Sequence, residues 1–375
     1  MDFAFTEDQE MFKDTARKFF ANECPITKVR EILKEKGGYS PDLWEKLAEL
    51  GFMGLMIDEA YGGLGGAFMD LCPIIEEMGR ALFPSPFLPT VVAGGTILSE
   101  DGERAKKTRL LPSIGSGEAI ITLGAGEWGG EWSKESVQTK AGKDSEGYII
   151  DGTKLFVPFA GASDYIICCA RDESLHDNGI SVFLVNMKDN MVDCTPIPTF
   201  SIEKYYKVDF KRVRVSKGDL IGKPGKGWQT IERIWPKIVA ARCVEMTGGL
   251  QKVLDMTVQF VKEREQFGRP IGSFQTIQNY CSDIAIDVET SKYIAYQAAW
   301  KVSNNLPCGA DVSIAKAWCG DAFQRATAIA LQVHGAMGFT EEYDLHFFYK
   351  QAKSLQLMYG GSANHRRIVA EEMGL

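Results

Sequence analysis

The sequence predicts a mostly α-helical protein with a central β domain, and two observations predict it. Helical-period apolar stretches dominate both ends of the 375-residue chain, while residues 118–227 break into short β-branched and aromatic runs separated by Gly, Asp and Asn. The expected order is an N-terminal helical domain over residues 1–117, a small β-barrel domain over 118–227 and a C-terminal four-helix bundle over 228–375. A single core stops growing at roughly 250–300 residues, so several packed units are expected.

At the N-terminal end, Thr6 and Gln9 stand at capping-box spacing and open a helix whose apolar stripe reads Met11, Phe12, Ala16, Phe19 and Phe20. Ser40 offers an N-cap with Pro41 at the first helical position, leading through Leu43, Leu47 and Leu50 to a stop at Gly51. A glycine-rich turn at residues 61–66 precedes a third helix that runs to about Leu82. Strands are read at residues 148–150, 154–157, 165–170, 180–185 and 208–215. No helical stretch separates them, which disfavours a parallel βαβ sheet and suggests a small barrel or sandwich. Long helices then follow at 239–264, 276–304 and 310–333, lengths that point to a bundle.

Composition narrows the function. Apolar residues make up 45% and charged residues 25%, an ordinary globular balance without room for extensive disorder. Net charge is −8 with no sustained Lys or Arg block, which argues against nucleic acid or anionic lipid as a partner. No apolar run approaches the ~18 residues a membrane span needs, and the start Met1-Asp2-Phe3-Ala4-Phe5 lacks a secretory pattern, so a cytoplasmic protein is expected. Nine cysteines are scattered without a C-x-x-C pair and four histidines are dispersed, so neither a disulfide framework nor a metal site is expected.

Gly124-Ala125-Gly126-Glu127-Trp128-Gly129 follows an apolar strand at 119–122 and matches half of a dinucleotide fingerprint. The segment 131–139 lacks the apolar stripe of the helix that should follow, so this reading is disfavoured. The glycine-rich link at 222–227 lacks P-loop spacing and reads as a turn.

Arg264-Glu265-Gln266-Phe267-Gly268, followed by Phe274-Gln275, resembles the Arg-x-x-Phe-Gly and Phe-Gln signature of the acyl-CoA dehydrogenase family. Residues 331–340, from Leu331 to Thr340, look like that family's Gln-x-x-Gly-Gly-x-Gly segment. Met358-Tyr359-Gly360-Gly361-Ser362-Ala363-Asn364 looks like its Tyr-Glu-Gly-Thr loop, and Gly152-Thr153-Lys154-Leu155-Phe156-Val157 resembles its central strand motif. The resemblance spans nearly the whole chain, with the motifs in the family's order.

It implies an FAD enzyme acting on an acyl-CoA thioester, with FAD between the β domain and the C-terminal helices and its adenine half crossing to a neighbouring subunit. Arg264, Phe267, Gln275, Gln332, Gly335 and Ala336 match the positions that contact the neighbour's FAD. Ser362 and Asn364 match those that reach FAD within one subunit. Thr122 and Leu123 stand near the family's Thr-Glu-Pro segment, and Phe156 and Pro158 replace its usual Trp and Thr beside the isoalloxazine. Pro158 brings neither a hydroxyl nor an N–H to the ring. An electron-transfer flavoprotein is the implied electron acceptor, and a tetramer, homomeric or heteromeric, the implied assembly.

One departure concerns the chemistry. The family's usual base is the Glu after Tyr in the Tyr-Glu-Gly loop, and that position is Gly360; the backbone amide that helps hold the thioester oxygen remains. The alternative helical position of that Glu falls on Ile238. Glu245, seven residues on and roughly on the same helical face, is a candidate relocated base, and equally a buried structural carboxylate. His365 is a second candidate from the loop. Residues 83–89 and 360–366 resemble a branch acting on steroid side-chain and alicyclic thioesters, and the first segment reads equally as a proline-rich link between helices. Three readings follow: a dehydrogenase with a non-standard base for a bulky acyl group, an FAD-binding subunit of a heteromeric dehydrogenase, and a non-redox acyl-CoA lyase or desulfinase on the same scaffold.

Overall fold

The computed structural model describes residues 4–129, 133–175 and 179–375. The start Met1-Asp2-Phe3 and residues 131–132 of the segment read after the fingerprint lie outside the described residues.

Helix α1 (Glu7–Glu23) opens on the Thr6–Gln9 capping box, both of whose hydrogen bonds form. Its buried face differs from the expected stripe: Gln9, Lys13, Ala16 and Phe20 point inward, while Met11 is exposed. The reason lies across the contact, where Gln9 donates to Asp70 and Lys13 pairs with Glu76 at 2.9 Å, so partnered polar groups take core positions. Helix α2 (Ile26–Ile32) follows, then α3 (Pro41–Glu49) with Ser40 as its N-cap. Helix α4 (Phe68–Ala81) ends at Leu82, whose φ of +50° turns the chain out of the helix. The proline-rich segment 83–89 runs into a π-helical stretch, Leu88–Gly94, continued by α5 (Gly95–Asp101) and α6 (Arg104–Gly115).

The central strands are β1 (Ile121–Gly124), β2 (Lys140–Lys143), β3 (Gly147–Pro158), β4 (Tyr165–Asp172), β5 (Ile180–Asn186), β6 (Val192–Ile197), β7 (Tyr205–Ser216) and β8 (Leu220–Ile221). They form one open sheet in the order β6-β7-β3-β2-β4-β5-β8, with β1 beside β4. The expected barrel is therefore corrected: β6 and β8 end the path and do not pair to close it. The two runs at 148–150 and 154–157 are a single strand, interrupted by register shifts against β7 rather than by a turn. The strands β4 and β5 are covered on both faces. In β4 and β5, Ile166, Cys168 and Phe183 pack into a core inside the curved sheet, whereas Ile167, Cys169, Val182 and Leu184 join the helical core. This explains why both strands read as continuous apolar runs.

The C-terminal helices are α7 (Gly227–Glu263), α8 (Gln275–Ser303), α9 (Gly309–His334), α10 (Leu345–Leu357) and α11 (Ser362–Glu372). Helix α7 also packs on α4 at backbone contact. A Cβ on Gly79 would lie 1.9 Å from the Glu245 carbonyl oxygen, and one on Gly248 would lie 1.8 Å from that of Glu76. Glycine is required at both positions by this approach.

Candidate active site

A cavity of about 330 Å³ lies where three layers meet: the central strands, the π-helical stretch and the C-terminal helices. Leu123, Leu155, Phe156 and Pro158 form the strand side; Leu88, Pro89, Val92 and Ala93 form the N-terminal side; Ile238, Ala241 and the turn Met358–Gly360 close it. Strand β3 reaches the cavity by a bulge. Its register with β7 slips between Lys154 and Val157, the Leu155 amide turns to the Gly126 carbonyl at 2.9 Å, and Phe156 adopts a φ of +51°. That conformation leaves Phe156 half-exposed at the cavity's edge. Thr122 is fully buried and spends its hydroxyl on the Pro158 carbonyl at 2.6 Å.

Glu127 is the only carboxylate among the described residues that line the cavity. It is locked in place by the buried Lys154 ammonium at 2.5 Å and by the amides of Gln138 and Thr139, a donor set that holds it as an ion-paired wall group. This is also the fate of the fingerprint at 124–129. No helix follows it among the described residues, and its Glu127 serves the strand–strand junction instead.

Beneath the wall sits a second ionic cluster. Arg242 donates to Glu203 through both terminal nitrogens, at 2.7 and 3.0 Å, and to Glu245 at 2.7 Å. Tyr205, which lines the cavity, donates its hydroxyl to Glu203 at 2.6 Å. Glu245 itself does not line the cavity; it lies one turn beyond Ala241, and burial raises its pKa above the usual carboxylate range although Arg242 opposes the shift. On the cavity wall, Gly360 has a φ of +92°, and its carbonyl accepts a hydrogen bond from the fully buried Lys316 at 3.0 Å. Burial pulls the Lys316 pKa down to about 8.

The structure brings Leu123, Phe156, Pro158 and Gly360 to one cavity and places the remaining candidates elsewhere. Ser362 is buried and donates to Asp321 at 2.6 Å, and Asn364 sits beside it, exposed, accepting from Arg367. Arg264 ends α7, Phe267 caps a tight hairpin, and Gln275 begins α8, all exposed. Gln332, Gly335 and Ala336 are exposed at the end of α9, and Arg264 shares an outer cleft with neighbouring Met337. Sequence reasoning missed Val92, Tyr205 and Lys316, and read Leu88 and Glu127 only as parts of the 83–89 segment and of the glycine fingerprint. The π-helical register of 88–94 and the long-range partners of the buried charges leave no local spacing to read.

Three family models match the chain in succession: the N-terminal domain of acyl-CoA dehydrogenase at residues 6–118, the middle domain at 123–213 and the C-terminal domain at 225–374. The chain belongs to the acyl-CoA dehydrogenase family. Among the solved structures similar to it is butyryl-CoA dehydrogenase from Megasphaera elsdenii, with a TM-score of 0.92, 26% identity and full coverage of both chains. The ChsE4-ChsE5 complex from Mycobacterium tuberculosis superimposes with a TM-score of 0.91 at 26% identity, covering 100% of this chain and 99% of that one. A subunit of the caffeyl-CoA reductase-Etf complex from Acetobacterium woodii is 26% identical, with 98% of each chain covered.

Membership makes the protein an FAD-dependent oxidoreductase acting on CH–CH donors. The residues present fit that cofactor. A flat ring needs apolar surface and a few polar edges, and the cavity is lined by Leu123, Phe156, Pro158 and Met358, with Thr199, Ser201, Ser354, Tyr205 and Tyr359 as its hydroxyl-bearing residues.

Proposed function

We propose that this acyl-CoA dehydrogenase performs α,β-dehydrogenation of a bulky, alicyclic acyl-CoA thioester with a base that is not in the family's usual place. The observation that carries the reading is the cavity wall itself: Gly360 and Ile238 both lie on it, and neither carries a carboxylate. Glycine and isoleucine there, with Ala93 and Ala241 nearby, leave room beside the α-carbon for a ring or branch. Bound FAD supplies the hydride acceptor. The Gly360 amide donates to the thioester oxygen, stabilising the enolate charge that develops when the α-proton leaves. Glu245 takes that proton. Its raised pKa makes it a stronger base than an ordinary carboxylate, and among the described residues its carboxylate accepts from Arg242 alone, whereas Glu127 is held by Lys154 and two backbone amides and Glu203 by Arg242 and Tyr205. Reaching the substrate requires the Glu245–Arg242 pair to open, with Arg242 retained by Glu203.

Electrons pass onward to an electron-transfer flavoprotein, as the name of the Acetobacterium relative suggests for its own complex. The exposed positions Arg264, Phe267, Gln275, Gln332, Gly335 and Ala336 complete the FAD site of a neighbouring subunit in a tetramer, and Ser362 and Asn364 lie on the same subunit's FAD side. A heteromeric arrangement is a second reading, supported by the likeness to a two-protein complex from Mycobacterium tuberculosis.

The purified chain is expected to be yellow, and its flavin to bleach on anaerobic addition of cyclohexanecarbonyl-CoA with formation of the α,β-enoyl product. Product formation with the flavin oxidised throughout rejects dehydrogenation. A colourless chain that gains FAD only beside a co-expressed partner selects the heteromeric reading.

A further inference from the structure

Tyr359 and Gly360 stand on the cavity wall with left-handed backbones, at φ +59° and +92°. Side chains from behind the wall hold the carbonyls of both. The Tyr359 oxygen lies 3.0 Å from His365 Nε2, and Lys316 Nζ donates to the Gly360 and Gln356 oxygens, each at 3.0 Å. His365 and Lys316 are buried and neither lines the cavity.

A carbonyl only accepts, so His365 carries its proton on Nε2. Its Nδ1 lies 3.2 Å from Ser313 Oγ and accepts from that hydroxyl, which fixes the tautomer. Burial, reinforced by the Lys316 charge, lowers the His365 pKa against the opposing Tyr359 bond.

The peptide joining Tyr359 to Gly360 is trans, so its C=O and N–H point in opposite directions. Pinning the Tyr359 carbonyl against His365 behind the wall turns the Gly360 N–H towards the cavity. We infer that His365, locked by Ser313, is the positioning residue that aims the Gly360 amide at the thioester oxygen of a bound acyl-CoA; this rests on the thioester reading above. The same bond polarises the peptide and strengthens its N–H as a donor. Gly360 and His365 also share one packing arrangement, because a Cβ at 360 would lie 3.0 Å from His365 Nε2 and 3.0 Å from Asn364 Nδ2. A side chain at 360 would push against the residue that orients its own amide.

The test uses the FAD-loaded enzyme in its native assembly, with butyryl-CoA and cyclohexanecarbonyl-CoA each isotopically labelled at the thioester carbonyl. Infrared difference spectra read the carbonyl stretch in the complex. The wild type is expected to lower it, and His365→Leu to lose most of that lowering, with kcat reduced about tenfold and KM little changed, a smaller loss than removal of an oxyanion donor outright. His365→Gln, which retains a donor, should keep most of the lowering, and Ser313→Ala should lose part of it. An unaltered stretch in a His365→Leu enzyme that still holds flavin overturns the assignment of His365 alone. Should that variant fail to fold, an unaltered stretch in Ser313→Ala overturns it instead. A wild type that lowers the stretch of neither thioester overturns the thioester reading and the inference with it.

Discussion

Arg242 places one positive charge between two carboxylates, Glu203 and Glu245, in a buried setting. With both acids ionised the trio holds an uncompensated negative charge, and the raised pKa of Glu245 is the response to burial and to that excess. The two acids should therefore behave oppositely on substitution. Glu203→Gln removes the carboxylate that accepts from both Arg242 and Tyr205 and leaves Arg242 to Glu245 alone; it is expected to cost about 1–3 kcal/mol, the range for leaving buried donors short of an acceptor. Glu245→Gln leaves the Arg242–Glu203 pair intact and is expected to hold or raise the melting midpoint while stopping α-proton removal. The pH dependence carries a sign. An acid whose folded pKa is raised contributes stability fully below its unfolded value and loses it as pH rises through the folded value. The wild type should therefore lose stability relative to Glu245→Gln as pH rises from the ordinary carboxylate range through that raised pKa, read by thermal melts across pH.

Helix α7 ties the site to the core, and its crossing with α4 is the element most sensitive to substitution. Gly248→Ala would place a methyl group 1.8 Å from a backbone oxygen, where no side-chain motion relieves the clash. A loss of at least 1–3 kcal/mol is expected, the range for overpacking, with flavin release tracking the melt because Ile238 and Ala241 of the same helix form the cavity wall. Chemical denaturation monitored by flavin fluorescence measures both. This crossing also marks the boundary of what spacing reveals. The Thr6–Gln9 box, the Ser40 cap and the long helices α7, α8 and α9 were legible because capping and periodicity are local. Strand β6 was missed because half of it faces solvent with Asp193 and Thr195, and β2 because Lys140 and Gly142 dilute its pattern. Sheet closure was overestimated, since pairing partners are set by tertiary contact. At the site, Gly360, Leu123, Phe156 and Pro158 came from motif resemblance. His365's partner Ser313 lies 52 residues away, and only the fold brings the two together.

At the scale of the whole molecule, Phe267 is 92% exposed and Phe339 68% exposed, with Arg264, Gln332, Gly335 and Ala336 also at the surface. Large aromatics left bare in this way are the kind of surface that a partner can cover. In the proposed tetramer the cover is a neighbouring subunit, and Arg264 meets the charged end of that subunit's FAD. Removing such a charge-assisted contact is worth about 2 kcal/mol, or roughly 30-fold in affinity. Arg264→Ala should therefore shed flavin on dilution while sedimenting as wild type, whereas Phe267→Asp should lower the sedimenting mass and lose flavin together. The two outcomes separate cofactor binding from assembly. If Phe267→Asp keeps both its mass and its flavin, the face around Phe267 is not the subunit contact and the FAD site is complete within one chain.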